Sequence, residues 1–388
     1  MKRLLLFLLI TLLQLRLVAQ EMPIVAFHGV KPAFTDVKHF KQLRDAGFNV
    51  NLTVYPNNEE AAKALDCAHL AGVKILLLTP ELFSETAKTV KRFQNHPAMF
   101  GYFIADEPSL ENLSNVVEKI KEIQRYDSIL PAYVNLFPNY ADEKYLKANN
   151  YEQYVSAFTH AIPGHLISFD NYPLMGNRIH EKWYENLEII RKHSMRESKQ
   201  FWGFANSTVF HAYEQPTEAG LRLQQFSNLL YGAQGLQYFT YWTLDDEYWK
   251  KNNFQHAMVD SYGKPTITYD LVKNVNNEIE KYSSLFYGAR INSVYHMGKY
   301  TPAGTQKFTV TSVAHLKVNG DALISVFENK GKKYLAVLNK SLQKKMRLTM
   351  KKKKSMFLVR SEDEELPVAS GNVFYKLREA DVLVFRFQ

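Results

Sequence analysis

The sequence predicts an α/β protein: a (β/α)8 barrel followed by a small C-terminal antiparallel β-sandwich. Three observations carry this expectation. Eight short apolar runs alternate with amphipathic stretches over residues 23–290. One run ends in two adjacent acids, Asp106 and Glu107, followed by Pro108. After about residue 293 the texture changes to closely spaced strands and short turns.

The eight runs are residues 24–30, 48–55, 74–79, 99–105, 131–137, 166–170, 200–205 and 235–242. Barrel strands are buried on both faces, so they read as continuous apolar stretches rather than as alternation. Helical spacing fills the gaps between them. In residues 35–46, Val37, Phe40, Leu43 and Ala46 recur at three-residue intervals. Residues 58–71 are alanine-rich, and in 110–126 Leu113, Val116, Val117, Ile120 and Ile123 share one face. Residues 181–192 and 217–232 continue the rhythm. Gly47, Gly72, Gly164 and Gly235 stand before strands, where left-handed helix stops are expected. An open doubly wound sheet gives no reason for eight units, and no glycine-rich phosphate loop follows the first run.

Beyond the barrel, strands are expected at residues 308–318, 322–328, 333–339, 345–350, 355–359 and 382–387, a sandwich over 295–388. Asn319-Gly320-Asp321, Asn329-Lys330-Gly331 and Gly371-Asn372 supply turns. The acidic run Glu362-Asp363-Glu364-Glu365 reads as a loop. Lys344, Lys345, Arg347 and the lysines at 351–354 alternate with Met346, Leu348 and Met350. That is the pattern of a half-exposed edge strand, which argues against nucleic acid as a partner.

Residues 1–19 have the pattern of a cleavable signal peptide: Lys2 and Arg3, an apolar run from Leu4 to Leu13, and Leu17-Val18-Ala19 before the cut. The run is too short to span a bilayer, and no other stretch of about 18 apolar residues follows. An exported protein, periplasmic or extracellular and not inserted in a membrane, is therefore expected. Cys67 is the single cysteine, which excludes an intramolecular disulfide and a cysteine-ligated zinc site. The net charge is +9, of which Lys2, Arg3 and Arg16 belong to the leader. No cofactor is expected, and His28, His39, His69 and His96 fall in separate elements rather than in a metal-ligand set. The sequence sets no oligomeric state. With 23 Tyr, 25 Phe and 4 Trp, some rings are expected on surfaces as well as in cores, and sugar-binding clefts use such rings.

In a barrel of this kind the C-terminal ends of the strands converge on one mouth. Here those ends carry His28, Tyr55, Glu81, Asp106-Glu107, Asn135, Asp170-Asn171-Tyr172, Asn206 and Tyr241-Trp242. This is a polar and aromatic ring, unlike a core. Neighbouring strand residues face opposite ways, so one acid of the pair is expected to face a pocket while the other braces it.

The segments HPAMFGYFIADEPS, LPAYVNLFPNY, LISFDNYPL and YGAQGLQYFTYW resemble the β-galactosidase-like glycoside hydrolases related to family 42, clan A-type TIM barrels. The resemblance covers about residues 24–285 and implies hydrolysis of O-glycosidic bonds in an oligo- or polysaccharide. It also implies a general acid/base glutamate at the end of the fourth strand, which falls on Glu107. Two departures stand out. Asp106 occupies the position where the clan usually has Asn. The seventh run, Phe201-Trp202-Gly203-Phe204-Ala205-Asn206-Ser207, ends without the clan's nucleophilic Glu, and Glu214 lies further on, in a loop.

Glycoside hydrolysis needs an acid of raised pKa and a second group across the bond. Glu107 suits the acid: Asp106 repels its charge, and Ile104 and Pro108 desolvate it. Three partners are open. Asp170 is a candidate base or nucleophile, its carboxyl then roughly 5–10 Å from that of Glu107. Glu214 is a loop-borne nucleophile in the second. In the third, Asp106 orients a substrate 2-acetamido group that attacks its own anomeric carbon, as in N-acetylhexosaminidases with neighbouring Asp-Glu pairs, to which the motif is also similar. Tyr172, Trp202, Tyr241 and Trp242 are expected to offer stacking faces, and His28, Tyr55, Asn135 and Asn206 further substrate contacts. The competing reading is a non-catalytic carbohydrate-binding barrel that has lost its nucleophile.

Overall fold

Strand β1 (Ile24–Phe27) begins a set of eight parallel strands that closes on itself. The others are β2 (Val50–Leu52), β3 (Lys74–Leu77), β4 (Met99–Asp106), β5 (Ala132–Leu136), β6 (Leu166–Phe169), β7 (Gln200–Asn206) and β8 (Gly235–Phe239). Each pairs with its neighbours in sequence, and β8 pairs with β1, Ile24 opposite Leu236 through Phe27 opposite Phe239. The computed structural model describes residues 21–176, 178–309 and 312–388, so the expected signal peptide lies outside the described residues. All eight expected runs are strands, most of them shorter than the apolar stretch that marks them. The apolar residues beyond each strand pack in the connecting loops, as Val30 and Tyr55 do.

The longer helices are α1 (Val37–Asp45), α2 (Asn58–Leu70), α3 (Thr86–Phe93), α4 (Leu113–Gln124), α5 (Tyr151–Ala161), α6 (Trp183–Arg196), α7 (Glu218–Tyr231) and α8 (Ile267–Phe286). Short polar residues start them: the side chains of Asp36, Asn57, Asn150, Thr217 and Thr266 each accept a first-turn backbone N–H. The chain closes its outer ring where α8 meets α1. There the Tyr269 hydroxyl donates to Gln42 O at 2.6 Å and Asn276 Nδ2 to Ala46 O at 2.8 Å. Gly47, Gly72 and Gly164 are left-handed as expected, but Gly235 is not. Gly232 ends α7 instead, at φ +105°. Gly235 is needed for space: a Cβ there would sit 2.6 Å from the Trp202 indole.

The C-terminal part forms two packed sheets. One has the order β9 (Arg290–Met297), β11 (Ala322–Asn329), β12 (Lys332–Asn339), β17 (Val382–Phe387), β14 (Met356–Val359), β15 (Glu365–Pro367). The other is β10 (Ala314–Val318), β13 (Met346–Lys352), β16 (Asn372–Leu377). The six-stranded sheet is covered on both faces, which explains the uninterrupted run at Leu335–Leu338. Ala336 and Leu338 join the core shared with the barrel helices, while Leu335 and Val337 join the core between the sheets. Phe286 of α8 stacks on Phe327 at 5.0 Å, and Asn329 Nδ2 donates to the carbonyls of Ser284, Leu285 and Tyr287.

Two expectations are corrected. The lysine-rich strand β13 is the middle strand of its sheet, paired on both sides by β10 and β16. Its alternation reported one buried face, Met346, Leu348 and Met350, and carried no information on pairing. The acidic run is not wholly loop either: Glu365 starts β15, and its two carboxylate oxygens share the Arg386 Nε–H at 2.8 Å each.

Candidate active site

The mouth of the barrel is built around Asn135, at the end of β5. Its Nδ2 donates to Asp106 Oδ1 at 3.1 Å and to Asp170 Oδ1 at 3.2 Å, so one amide joins the ends of β4 and β6. The orientation of this amide is fixed from below. Ser168 Oγ donates to Asn135 Oδ1 at 2.8 Å, and Gln237 Nε2 donates to Ser168 Oγ at 2.7 Å. The Tyr133 hydroxyl donates to Gln237 Oε1 at 2.7 Å. This chain crosses the barrel interior from β8 to β5 with all four side chains buried.

Adjacent acids on a strand face opposite ways, yet Asp106 and Glu107 both reach the mouth. The backbone explains it. β4 changes register against β5 between Phe103 and Ala105, and Glu107 turns left-handed at φ +46° while its N–H donates to Asn135 O at 2.8 Å. A bulge followed by a left-handed residue re-aims the side chain and is the kind of local strain kept at functional sites. Behind the turn, the Tyr154 hydroxyl donates to Pro108 O at 2.8 Å and locks it.

Three carboxyls therefore crowd one amide. Water reaches Asp106, Glu107 is half-buried and Asp170 is buried. Burial, then the Asp106 charge, pushes Glu107 up to about 7, and a hydrogen bond from the Asp170 carboxyl offsets part of the rise. Burial, then Glu107 and Asp106, hold Asp170 well above the usual carboxylate range. Asp106 is also raised: water touches it, but the concave mouth crowds it with protein atoms, and Asn135 offsets part of that. Asp170 and Glu107 share a hydrogen bond, burial favouring the proton on the more buried Asp170. The two carboxyls are therefore in contact, closer than the roughly 5–10 Å expected.

His28 ends β1, its ring edge-on to Phe27 at 4.9 Å and to Phe239 at 6.0 Å. Burial, then Lys31, pushes it down to about 4, so it presents a neutral imidazole. Tyr172 packs edge-on against Phe204, Phe210 and Tyr213 and feels the charges of Asp170 and Glu107. His28, Asn135 and Tyr172 thus belong to the mouth with the three acids.

The other expected contacts do not. Tyr55 is fully buried in the helix layer and accepts from Asn51 Nδ2 at 3.0 Å. Tyr241 and Trp242 lie past the end of β8, fully buried against Phe48 and Phe34 beneath α1. Trp202 sits early in β7, packed on Phe100 and Tyr133 inside the barrel, far down the strand from the mouth. Asn206 spends its side chain on its own turn, donating to Thr208 O and accepting from Thr208 N. With the exposed Glu214 it lines a separate cavity of about 180 Å3.

Sequence reasoning missed Tyr140 and Tyr213, which share a hydrogen bond, Tyr140 sensing the Asp170 charge. It also missed Phe210, Phe254 and Trp249, which cover Phe239 from the loops after β7 and β8. Among the described residues no three His, Cys, Asp or Glu side chains are arranged to hold a metal ion.

No protein-family model and no curated protein sequence matches this chain. Solved structures do. A catalytic mutant of a family 42 β-galactosidase from G. stearothermophilus aligns at a TM-score of 0.65 and 9% identity, covering 95% of this chain and 98% of that one. A β-galactosidase from the psychrophilic Marinomonas ef1 aligns at 0.50 and 12% identity, covering 67% of this chain. The match spans 60% of the Marinomonas enzyme's length. At such identities the likeness is one of fold: this chain has the barrel architecture seen in these β-galactosidases.

Proposed function

We propose that the protein hydrolyses an O-glycosidic bond at the barrel mouth, with Glu107 as general acid and then general base. The observation that carries this is Glu107 itself: a half-buried carboxyl raised to about 7 at the end of β4, with an ionisable neighbour on each side. The fold shared with two β-galactosidases, and the resemblance of the fourth-strand motif, favour a saccharide substrate. The exported setting expected from residues 1–19 belongs to the same proposal.

In this mechanism a protonated Glu107 delivers its proton to the leaving oxygen as the bond to the anomeric carbon lengthens. Glu107 then takes a proton from the water that completes hydrolysis. The neutral His28 and the Asn135 amide supply uncharged hydrogen-bonding groups beside the sugar.

A second reading concerns the other catalytic group. Asp170 is in contact with Glu107 rather than across the bond from it, and Asn206, not a carboxylate, ends β7, which favours the substrate-assisted route. Asp106 is water-accessible, and Asn135 holds only one of its oxygens, so it has acceptor capacity for a 2-acetamido N–H. The acetamido oxygen then attacks the anomeric carbon as Glu107 protonates the leaving group.

The test is Glu107→Gln on two substrates. Loss of general acid catalysis should slow a glycoside with a poor leaving group about 10²–10⁴-fold. A dinitrophenyl glycoside, whose leaving group needs no proton, should lose much less. Wild-type turnover of the first substrate, or equal loss on both with a lowered Tm, would remove Glu107 as the acid. Sugar binding without turnover of any glycoside would leave a carbohydrate-binding barrel.

A further inference from the structure

A cavity of about 970 Å3 lies away from the barrel mouth, between the β6–α6 connection and the ends of β9, β10 and β12. Its charge is lopsided: Lys299, Lys340, Lys344 and Lys345 line it against only two carboxylates, Glu181 and Asp321. One of those is already engaged, since Asp321 Oδ1 accepts from the backbone N–H of Lys299 at 2.8 Å.

Lys340 is the unusual member. It is 7% exposed, and long cations are rarely buried without an anion. Its Nζ lies 3.1 Å from His296 Nδ1 and 5.3 Å from the centre of the Tyr184 ring. An ammonium has only donors, so Nδ1 must accept, and the imidazole proton is on Nε2, 2.9 Å from the Tyr231 hydroxyl. Burial, then the nearby ammonium, pushes His296 down to about 2, which keeps that ring neutral. Burial pushes Lys340 down to about 8, and the charge of the nearby Asp321 offsets part of the fall, so at neutral pH it still carries most of its charge. Among the described residues Lys340 Nζ has a neutral acceptor and a ring face but no carboxylate within ion-pair distance, Asp321 acting on it from further off. Lys340 lines the cavity together with the exposed Lys299, Lys344 and Lys345.

We infer that this cavity binds the carboxylate or sulfate group of an acidic saccharide, with Lys340 as the buried anchor and Lys344 and Lys345 as the entry charges. The anion comes from the lysines alone; the saccharide part rests on the glycoside reading above, together with the Tyr184 and Tyr300 rings on the cavity wall. The cavity also borders the mouth's surroundings: His180, on its wall, packs against Tyr140 at 5.7 Å.

Isothermal titration calorimetry with galacturonate, galactose 6-sulfate, neutral galactose and inorganic sulfate tests this. Galacturonate or galactose 6-sulfate should bind at least about tenfold tighter than galactose, roughly 1.4 kcal/mol. Which of the two is tighter identifies the anion. Lys340→Met keeps the apolar stem and removes the charge, a replacement that buried sites usually tolerate. It should weaken acidic-sugar binding at least about tenfold without lowering the Tm. The exposed double variant Lys344→Ser/Lys345→Ser should weaken it too, and added salt should mimic that variant. Glu107→Gln should bind the acidic sugar as the wild type does, so a protein inert on every glycoside would still report this site. Equal affinity for galactose, no binding of either acidic sugar, unchanged binding in both lysine variants, or binding of sulfate alone would each overturn the assignment.

Discussion

The carboxyl of Asp170 donates a hydrogen bond to that of Glu107, and Asn135 ties Asp170 to Asp106 from the other side. Two of the acids thus share one amide donor, and all three share one desolvated mouth. Electrostatics decides their roles. Burial and its neighbours' charges hold Asp170, the most buried, well above the usual carboxylate range; burial raises the water-accessible Asp106 as well; Glu107 titrates near neutrality. A group poised near 7 is what a carboxyl needs to give and retake a proton in the same turnover.

Asp106→Asn should shift the pH dependence of activity. Burial is the larger cause of the raised Glu107 pKa and the Asp106 charge the second. Removing that charge favours the ionised form of Glu107, so the acid is lost at lower pH. The basic limb of kcat/KM, expected near pH 7 in the wild type, should move down, whatever happens to the maximal rate. An unmoved limb, or one displaced upward, would mean that Asp106 does not set the acid's pKa.

Much of this mouth was legible from residue order alone. Apolar runs buried on both faces gave the eight strands, and the Asp106-Glu107 pair marked the end of the fourth. Strand ends were less legible, and errors of two or three residues there changed sides. The run at 235–242 was read as one strand, but β8 stops at Phe239 and the next residues turn behind the barrel, carrying Tyr241 and Trp242 beneath α1. Trp202 shows the converse: it is on a correctly expected strand but too near its start to reach the mouth. The network of Tyr133, Ser168 and Gln237 left almost no signal. Each is an isolated polar residue in an apolar run, and its partner lies as far as 104 positions away in the chain. Only closure of the barrel brings such partners together.

Stability should carry the mark of Glu107 as well. An unfolded glutamate titrates near 4.5 and this one near 7. Between those values the folded protein binds the extra proton, so the contribution of Glu107 to stability is greatest below about pH 4.5 and falls as pH rises toward 7. By pH 8 the native state holds an ionised Glu107 in a desolvated recess beside Asp106. Glu107→Gln never ionises there. Its Tm advantage over the wild type should therefore be larger at pH 8 than at pH 4.5. An advantage independent of pH would show that the folded carboxyl titrates as an ordinary one.

The contact between Gly235 and Trp202 separates barrel packing from substrate contact. A Cβ at residue 235 would meet the indole Cε2 and Nε1 at 2.6 Å and Cδ1 at 2.7 Å, too close for any side chain to share the space. Gly235→Ala should lower stability by about 1–3 kcal/mol, the usual range for an overpacked core. All three atoms lie in the indole ring nearest Cβ, space that a phenyl ring would also fill but a leucine would largely vacate. Trp202→Leu should therefore relieve part of the clash, and the double variant with Gly235→Ala should be more stable than the sum of the two single changes predicts. Trp202 lies down the barrel among Phe100 and Tyr133, so Trp202→Leu should leave KM unchanged while it lowers Tm. Additive losses would mean that the indole moves away freely. A raised KM with an unchanged Tm would put Trp202 against the sugar after all and bring back the stacking role that its position in β7 argues against.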